Sequence, residues 1–167
     1  MIKVKNNFKK LGFTLMELVV VMAILAIITI GLLGNYMTSQ RKGKDAQRKS
    51  DLKQVQNALE AYANDHNGQY PDDNSGEING ASWGSSFQDA SGTVYIKQLP
   101  QDPKGVGYFY RVSSDNIKYQ LYACLENDQD IDYNKYPNTG SLCIGCGSSN
   151  FCNYGISSTN AIPSETI

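Results

Sequence analysis

The sequence predicts an α+β protein in which a long N-terminal α-helix packs against a small antiparallel β-sheet. Three observations lead to this fold class. Residues 13–34 are almost entirely apolar, residues 35–66 are rich in helix formers and contain no proline, and the chain beyond residue 67 alternates short strand-like runs with turn residues. The 167 residues carry a formal net charge of −1, so no strong basic field predicts nucleic acid as a partner.

The apolar stretch over residues 13–34 is long enough to cross a bilayer as a helix, which takes about 20 residues. Glu17 is the only charged residue within it. A cleaved secretory signal peptide is the alternative, because lysines precede the stretch. The stretch exceeds the ~7–15 apolar residues of such a peptide, and no small-x-small cleavage site closes it. We therefore expect the lower half of the helix to be transmembrane.

The second half of the helix, residues 35–66, changes character along its length. Apolar residues recur there at spacings of three and four and form one stripe: Leu52, Val55, Leu59 and Tyr62. We expect this stripe to pack on the C-terminal head, and Asn67 and Gly68 to end the helix. Upstream of the stripe the residues are largely basic, and we expect this stretch to pack on no domain of its own: Arg41, Lys42, Lys44, Arg48 and Lys49.

Residues 67–152 are predicted to form a globular, strand-rich head. Three runs have strand-like composition: residues 93–99, 107–112 and 117–124. The last two form a hairpin, and one face of the resulting sheet should pack on the helix stripe. Trp83 and Phe87 are the expected core anchors of the long loop before the first run.

Two segments of the head have no strand pattern. Asp102, Pro103, Lys104 and Gly105 are a turn signal, and Asp102 has no second carboxylate or histidine spaced to join it in acid–base catalysis. The tail over residues 153–167 shows little apolar periodicity, so we expect it to be partly disordered.

The start of the apolar stretch reads KKLGFTLMELVVVMAIL over residues 9–25: a basic leader, Gly, Phe, Thr-Leu, one further residue, Glu and a hydrophobic run. This order resembles the class III signal of type IV pilins and type II secretion pseudopilins. The resemblance continues over residues 48–73, which are similar to the end of the pilin helix and its following loop. Residues 99–112, LPQDPKGVGYFYRV, are similar to a segment of the G-type major pseudopilins. The resemblance implies the pilin fold.

What this resemblance implies first is processing of the N-terminus. Residues 1–12 would be a leader that prepilin peptidase removes between Gly12 and Phe13, and Phe13 would then be N-methylated. Glycine suits position 12, because a protease must approach the backbone closely there and glycine has no Cβ.

Glu17 is costly in the predicted span, because a charge in mid-membrane is penalised by about 2.5–3.5 kcal/mol on insertion scales. The resemblance implies that its partner is the new ammonium of Phe13 on an adjacent subunit. Opposite charges attract strongly in a low dielectric, so Glu17 would set subunit register during assembly. The alternative is a carboxylate that reaches the membrane interface without a partner.

Gly34 stands where many pilins carry a proline, and Gly31 lies one turn earlier. Glycine weakens a helix by about 1 kcal/mol relative to alanine. We expect the helix to melt locally or bend around these residues in a filament, and close packing between membrane helices through small residues is the alternative.

An acidic run near the end of the predicted sheet offers oxygen ligands: Glu126, Asp128, Asp130 and Asp132. Ca²⁺ takes six to eight such oxygens, and G-type pseudopilins hold calcium in a C-terminal loop, so the resemblance supports calcium as a cofactor. The run lacks the glycine and the closing glutamate of an EF-hand, and a solvated acidic loop is the alternative. No other cofactor is expected.

All four cysteines lie in the head: Cys124, Cys143, Cys146 and Cys152. Cys143 and Cys146 form a C-x₂-C unit, which would indicate zinc in a cytosolic protein. An exported head favours two disulfides instead. Three pairings exist, and the one we favour joins Cys124 to Cys143 and Cys146 to Cys152.

The function predicted is that of a structural subunit of a type IV pilus or a type II secretion pseudopilus, with the N-terminus in the cytoplasm and the head outside. Its expected partners are other copies of itself, prepilin peptidase, the inner-membrane assembly platform, minor pilins and, before assembly, membrane lipid. A monomeric, membrane-anchored domain outside the cytoplasm is the alternative. An enzyme is not predicted, because the sequence contains no catalytic constellation.

Overall fold

The computed structural model describes residues 12–105, 107–133, 152–164 and 167, with only the backbone of residues 30–35. The chain divides into two compact units, Met1–Ser39 and Gln40–Ile167. One helix and seven short strands follow each other within the described residues: α1 (Leu15–Asp65), β1 (Asp73–Asn74), β2 (Glu77–Ile78), β3 (Phe87–Gln88), β4 (Val94–Ile96), β5 (Phe109–Val112), β6 (Tyr119–Ala123) and β7 (Tyr154–Ser157). The α+β class predicted from the sequence is confirmed.

The helix α1 ends where the sequence predicts. Asn67 and Gly68 both adopt positive φ angles, of 57° and 83°, which glycine does without steric cost. The backbone N–H of Gly68 donates to the carbonyl of Ala63 at 2.7 Å and closes the helix end. The backbone is helical through Gly31 and Gly34, so the bend expected there in a filament stays a prediction.

The main sheet is three-stranded and antiparallel, in the order β5–β6–β7. The hairpin predicted between β5 and β6 is confirmed, with Val112 opposite Tyr119 and Phe109 opposite Tyr122. Its turn is closed by the N–H of Ser113, which donates to the carbonyl of Lys118 at 2.9 Å. Two smaller sheets pair β1 with β2 and β3 with β4.

Part of the tail over residues 153–167, for which the sequence predicts partial disorder, forms the strand β7, and disorder elsewhere in the tail stays a prediction. β7 pairs with four of the five residues of β6, from Ala123 opposite Tyr154 to Gln120 opposite Ser157. Farther on, Gln120 Nε2 donates to the carbonyl of Ile162 at 2.8 Å. The tail needs no apolar periodicity, because backbone hydrogen bonds to β6 hold it in place. All five residues of β6 are consequently buried.

The core lies between the sheet and the second half of α1. Leu52, Val55 and Leu59 are fully buried and pack in one cluster with residues of β5 and β6, among them Tyr110 and Leu121. Burying each such side chain contributes about 1.5–3 kcal/mol. Phe87 is also fully buried and Trp83 packs on the cluster, so both predicted anchors are confirmed.

Candidate assembly site

The first turn of α1 holds the predicted assembly residue Glu17 in a capping box. The Oε2 atom of Glu17 accepts hydrogen bonds from the backbone N–H of Thr14 at 2.8 Å and from its hydroxyl at 2.9 Å. The hydroxyl of Thr14 in turn accepts from the backbone N–H of Glu17 at 3.2 Å. These reciprocal bonds satisfy donors that the start of a helix leaves unpaired. Glu17 therefore has a local partner in the single chain.

The helix that follows exposes its apolar side chains. Phe13 is 88% exposed and Ile27 is 73% exposed. Among the side chains described between residues 13 and 37, the other large apolar ones that are exposed are these: Leu15, Met16, Leu18, Val19, Val20, Val21, Met22, Ile24, Leu25, Ile28, Tyr36 and Met37. So long a run of exposed apolar surface marks a region that associates with a protein or a lipid partner.

The predicted leader and the predicted span fall partly outside what the structure describes, whereas Gly12 and Phe13 lie within it. A Cβ added to Gly12 would meet nothing within 4 Å, so packing does not explain the glycine. Among the described residues, no helix combines the length and the apolar character needed to cross a membrane. The side chains of residues 30–35, most of which belong to the predicted span, lie outside that description.

Arg48 occupies the base of the head as a fully buried cation. Its Nε lies 2.5 Å from Oδ2 of Asp102, and both side chains are 0% exposed. Its Nη1 donates to Asp45 at 2.8 Å, and its Nη2 lies 2.7 Å from Glu126. Burial alone would lower the pKa of Arg48, but its bonds to Asp102 and Glu126 raise the pKa above its ordinary value. The prediction that this basic stretch packs on no domain is wrong for Arg48.

Asp45 of α1 binds the segment after β6 through hydrogen bonds. Its carboxylate accepts the backbone N–H of Glu126 at 2.9 Å and that of Asn127 at 2.7 Å, in addition to Arg48. Glu126 also pairs with Lys104, whose Nζ lies 2.5 Å from its Oε2. Asp102 lies in the turn that the sequence predicts and accepts the N–H of Lys104 at 2.7 Å. The ion pairs thus join α1, the turn at Asp102 and the segment after β6.

Comparison with known families finds a match for the N-terminal segment and another for the chain that follows it. A family model described as type II secretion system, protein G, matches residues 35–139, which is more than half of the chain. A second model, the prokaryotic N-terminal methylation motif, matches residues 7–33 and so includes Gly12, Phe13 and Glu17. The chain belongs to the type II secretion system protein G family.

Curated relatives agree with this membership. The type II secretion system core protein G of Aeromonas hydrophila is 36% identical over 103 residues, which cover 58% of this chain and 69% of the relative. The core protein G of Escherichia coli K12 is 32% identical over 118 residues, covering 69% and 81%. That of Vibrio cholerae is 31% identical over 128 residues, covering 75% and 87%. No solved structure matches the chain.

The four carboxylates predicted as calcium ligands in this protein G family member do not converge on one point. Asp130 and Asp132 both bind Nζ of Lys49, at 2.7 and 2.9 Å. Glu126 forms ion pairs with Arg48 and Lys104, and Asp128 is exposed. Within the described part of the chain, no three His, Cys, Asp or Glu residues are grouped to hold a metal. The arrangement does not fit calcium as it stands, and the calcium hypothesis remains untested.

The cysteines of the head are described in part. Cys124 and Cys152 are both disulfide-bonded and buried in one cluster with Tyr122. Cys143 and Cys146 lie outside the described residues. The pairing of Cys124 with Cys143 and of Cys146 with Cys152 therefore stays a prediction.

Two features of the site have a recognisable signal in the sequence. Thr14 and Glu17 match the S/T-x-x-E pattern of a capping box. Asp45 and Arg48 continue the helix stripe upstream of Leu52 at the same spacings of three and four. A stripe that continues with charged residues indicates buried ion pairs when opposite charges are available on the facing element.

Proposed function

We propose that this chain is a structural subunit of the type II secretion pseudopilus, which polymerises through its N-terminal helix once the leader is removed. One observation carries the proposal. The N-terminal methylation motif over residues 7–33 is followed directly by the protein G match over residues 35–139 in one chain. Membership in the protein G family favours the pseudopilus over the type IV pilus, a choice that the sequence patterns leave open.

Cleavage between Gly12 and Phe13 would leave Phe13 as the first residue of the mature chain, four positions before Glu17. The new ammonium and the carboxylate are a complementary pair. Within one subunit Oε2 of Glu17 is held by Thr14, which fixes the side chain at the start of the helix. The proposal is that the Phe13 ammonium of an adjacent subunit binds this fixed carboxylate. The pair gains most where water is excluded, because each charge alone is then strongly penalised.

The exposed apolar side chains described over residues 13–29 and 36–37 support polymerisation through the same helix. Before assembly this surface would lie in membrane lipid as a single span, with the N-terminus in the cytoplasm and the head on the periplasmic side. In the pseudopilus the same surface would be covered by the helices of neighbouring subunits. Prepilin peptidase, the inner-membrane assembly platform and minor pseudopilins are the further partners proposed. The role is structural, and neither catalysis nor nucleic-acid binding is part of it.

Intact-mass measurement of the protein purified from cells that contain prepilin peptidase tests this function. The expected mass is that of a chain that begins at N-methylated Phe13. The same chain from cells without the peptidase is the control and should keep residues 1–12. A chain that begins at Met1 in both cells would contradict the proposal, and would support a monomeric, membrane-anchored domain.

A further inference from the structure

The acidic segment over residues 128–132 is held to the helix by one lysine. Nζ of Lys49 lies 2.7 Å from Oδ1 of Asp130 and 2.9 Å from Oδ2 of Asp132. All three side chains are only about a quarter exposed. Oδ1 of Asp130 also accepts the backbone N–H of Asp132 at 2.9 Å, which keeps the two carboxylates side by side around the ammonium.

Tyr154 of β7 contributes to the surroundings of this ammonium. Its ring centroid lies 5.5 Å from Nζ of Lys49, within the range at which the face of an aromatic ring attracts a cation. The ammonium is thus shared between the acidic segment and the last strand of the sheet. Burial alone would lower the pKa of Lys49, but its bonds to Asp130 and Asp132 raise the pKa above its ordinary value.

We propose that Lys49 is a built-in cation for the acidic segment, and that this head therefore keeps the segment in place without a divalent metal. The spacing of the contacts carries the proposal. The oxygens lie at hydrogen-bond distance from an ammonium, 2.7 and 2.9 Å, whereas calcium binds oxygens at about 2.3–2.6 Å and takes six to eight of them. An ammonium has only three protons to donate, so two carboxylates and an aromatic face nearly complete its surroundings.

The position of Lys49 on α1 gives this cation a second property. Asp45 and Arg48 lie within one turn of it and bind the neighbouring residues Glu126 and Asn127. About one turn of α1 therefore supplies all of these contacts to the segment from Glu126 to Asp132. Asp45 accepts its backbone N–H groups, and Arg48 and Lys49 pair with its carboxylates. A cation that is part of a side chain is not removed by a chelator. The segment then does not depend on the binding of a free metal ion.

The test uses the full-length mature protein in detergent, with thermal unfolding followed by the fluorescence of Trp83. Wild-type protein is compared in excess EDTA and in millimolar CaCl₂. Lys49→Met removes the charge and keeps the length of the aliphatic stem. Lys53→Met is the matched control, because Lys53 is an exposed lysine on the same helix that bonds only to Gln56 among the described contacts.

We expect the same Tm for the wild-type protein in EDTA and in calcium, and a Tm lower by about 2–8 °C for Lys49→Met than for Lys53→Met. A wild-type Tm that rises with calcium or falls with EDTA would overturn the proposal and favour a calcium site. Equal Tm values for the two lysine variants would also overturn it. Both measurements are made on unassembled protein, so they are independent of whether the chain forms a pseudopilus.

Discussion

Arg48 and Asp102 are separated by 54 positions in the chain and form a fully buried ion pair, with Nε of Arg48 at 2.5 Å from Oδ2 of Asp102. The pair joins α1 to the turn that precedes the main sheet. Asp45 and Glu126 complete the surroundings of the guanidinium. A buried charge with three carboxylate partners makes this part of the head sensitive to the loss of any one member, since the others are left without compensation.

Replacement of Arg48 by methionine should lower the free energy of unfolding by about 3–5 kcal/mol, because it leaves Asp45 and Asp102 buried without their cation. Urea denaturation followed by Trp83 fluorescence measures the loss, since Trp83 packs edge-on against Tyr108 at 5.3 Å and reports on the core. Arg41→Met is the control, because Arg41 is exposed on the same helix. Its effect should stay within about 0.5 kcal/mol, and equal losses for the two variants would contradict the prediction.

Substitutions of Glu17 separate its two structural roles. Glutamine still completes a capping box but carries no charge, whereas alanine removes both the cap and the charge. If the ion pair with Phe13 drives assembly, Glu17→Gln and Glu17→Ala should each lower pseudopilus yield by more than about tenfold, because the buried ammonium is left unpaired. Electron microscopy of sheared fibres measures the yield. Normal fibres from Glu17→Gln together with few from Glu17→Ala would assign the function of Glu17 to capping alone.

Acid should destabilise the head through its paired carboxylates. The hydrogen bond from Lys49 lowers the pKa of Asp130 below its ordinary value of 3.8. Burial alone would raise the pKa of Glu126, but its contacts with Lys104 and Arg48 lower it below 4.5. Because these pKa values are depressed in the folded state, the unfolded chain binds more protons in acid. The stability they contribute is present above about pH 4.5 and is lost as the pH falls through the folded values.

The measurement for this pH dependence is the free energy of unfolding between neutral pH and about pH 3. Asp130→Asn should show a smaller loss over this range than wild type, because one of the titrating pairs is absent. Glu77→Gln is a suitable control, since Glu77 lies in β2 and takes part in none of the ion pairs described above. Identical acid dependence for wild type and Asp130→Asn would contradict the role assigned to Asp130.

Gly155 lies where β7 crosses the ring of Tyr122, and its small size is required there. A Cβ at this position would lie 2.7 Å from Cδ1 of Tyr122 and 3.1 Å from Cβ of Pro163. Gly155→Ala should therefore destabilise the head by about 1–3 kcal/mol in urea denaturation, as overpacking does. Gly43→Ala is the matched control. A Cβ at Gly43 would meet nothing within 4 Å, and alanine inside a helix should stabilise by about 0.5–1 kcal/mol. A neutral Gly155→Ala would show that β7 can shift away from β6.

The sequence by itself determined the helix, its end at Asn67 and Gly68, the hairpin of β5 and β6 and the stripe from Leu52 to Tyr62. These features depend on residues close together in the chain, whose periodicity and turn chemistry can be read without knowing what they contact. The motif around Glu17 likewise lies within a few residues, and it was enough to indicate the family.

Only the tertiary structure decided the role of charged residues and of the tail. From the sequence, Arg48 is expected to be a surface cation. In the structure Asp102, Asp45 and Glu126 surround it, and a charge is buried only where such partners, two of them distant in the chain, are available. Lys49 is likewise expected to be solvent-exposed, but in the structure it pairs with Asp130 and Asp132. The tail reads as irregular until β6 offers backbone donors and acceptors to pair with. Each of these contacts is made between segments that no local pattern relates.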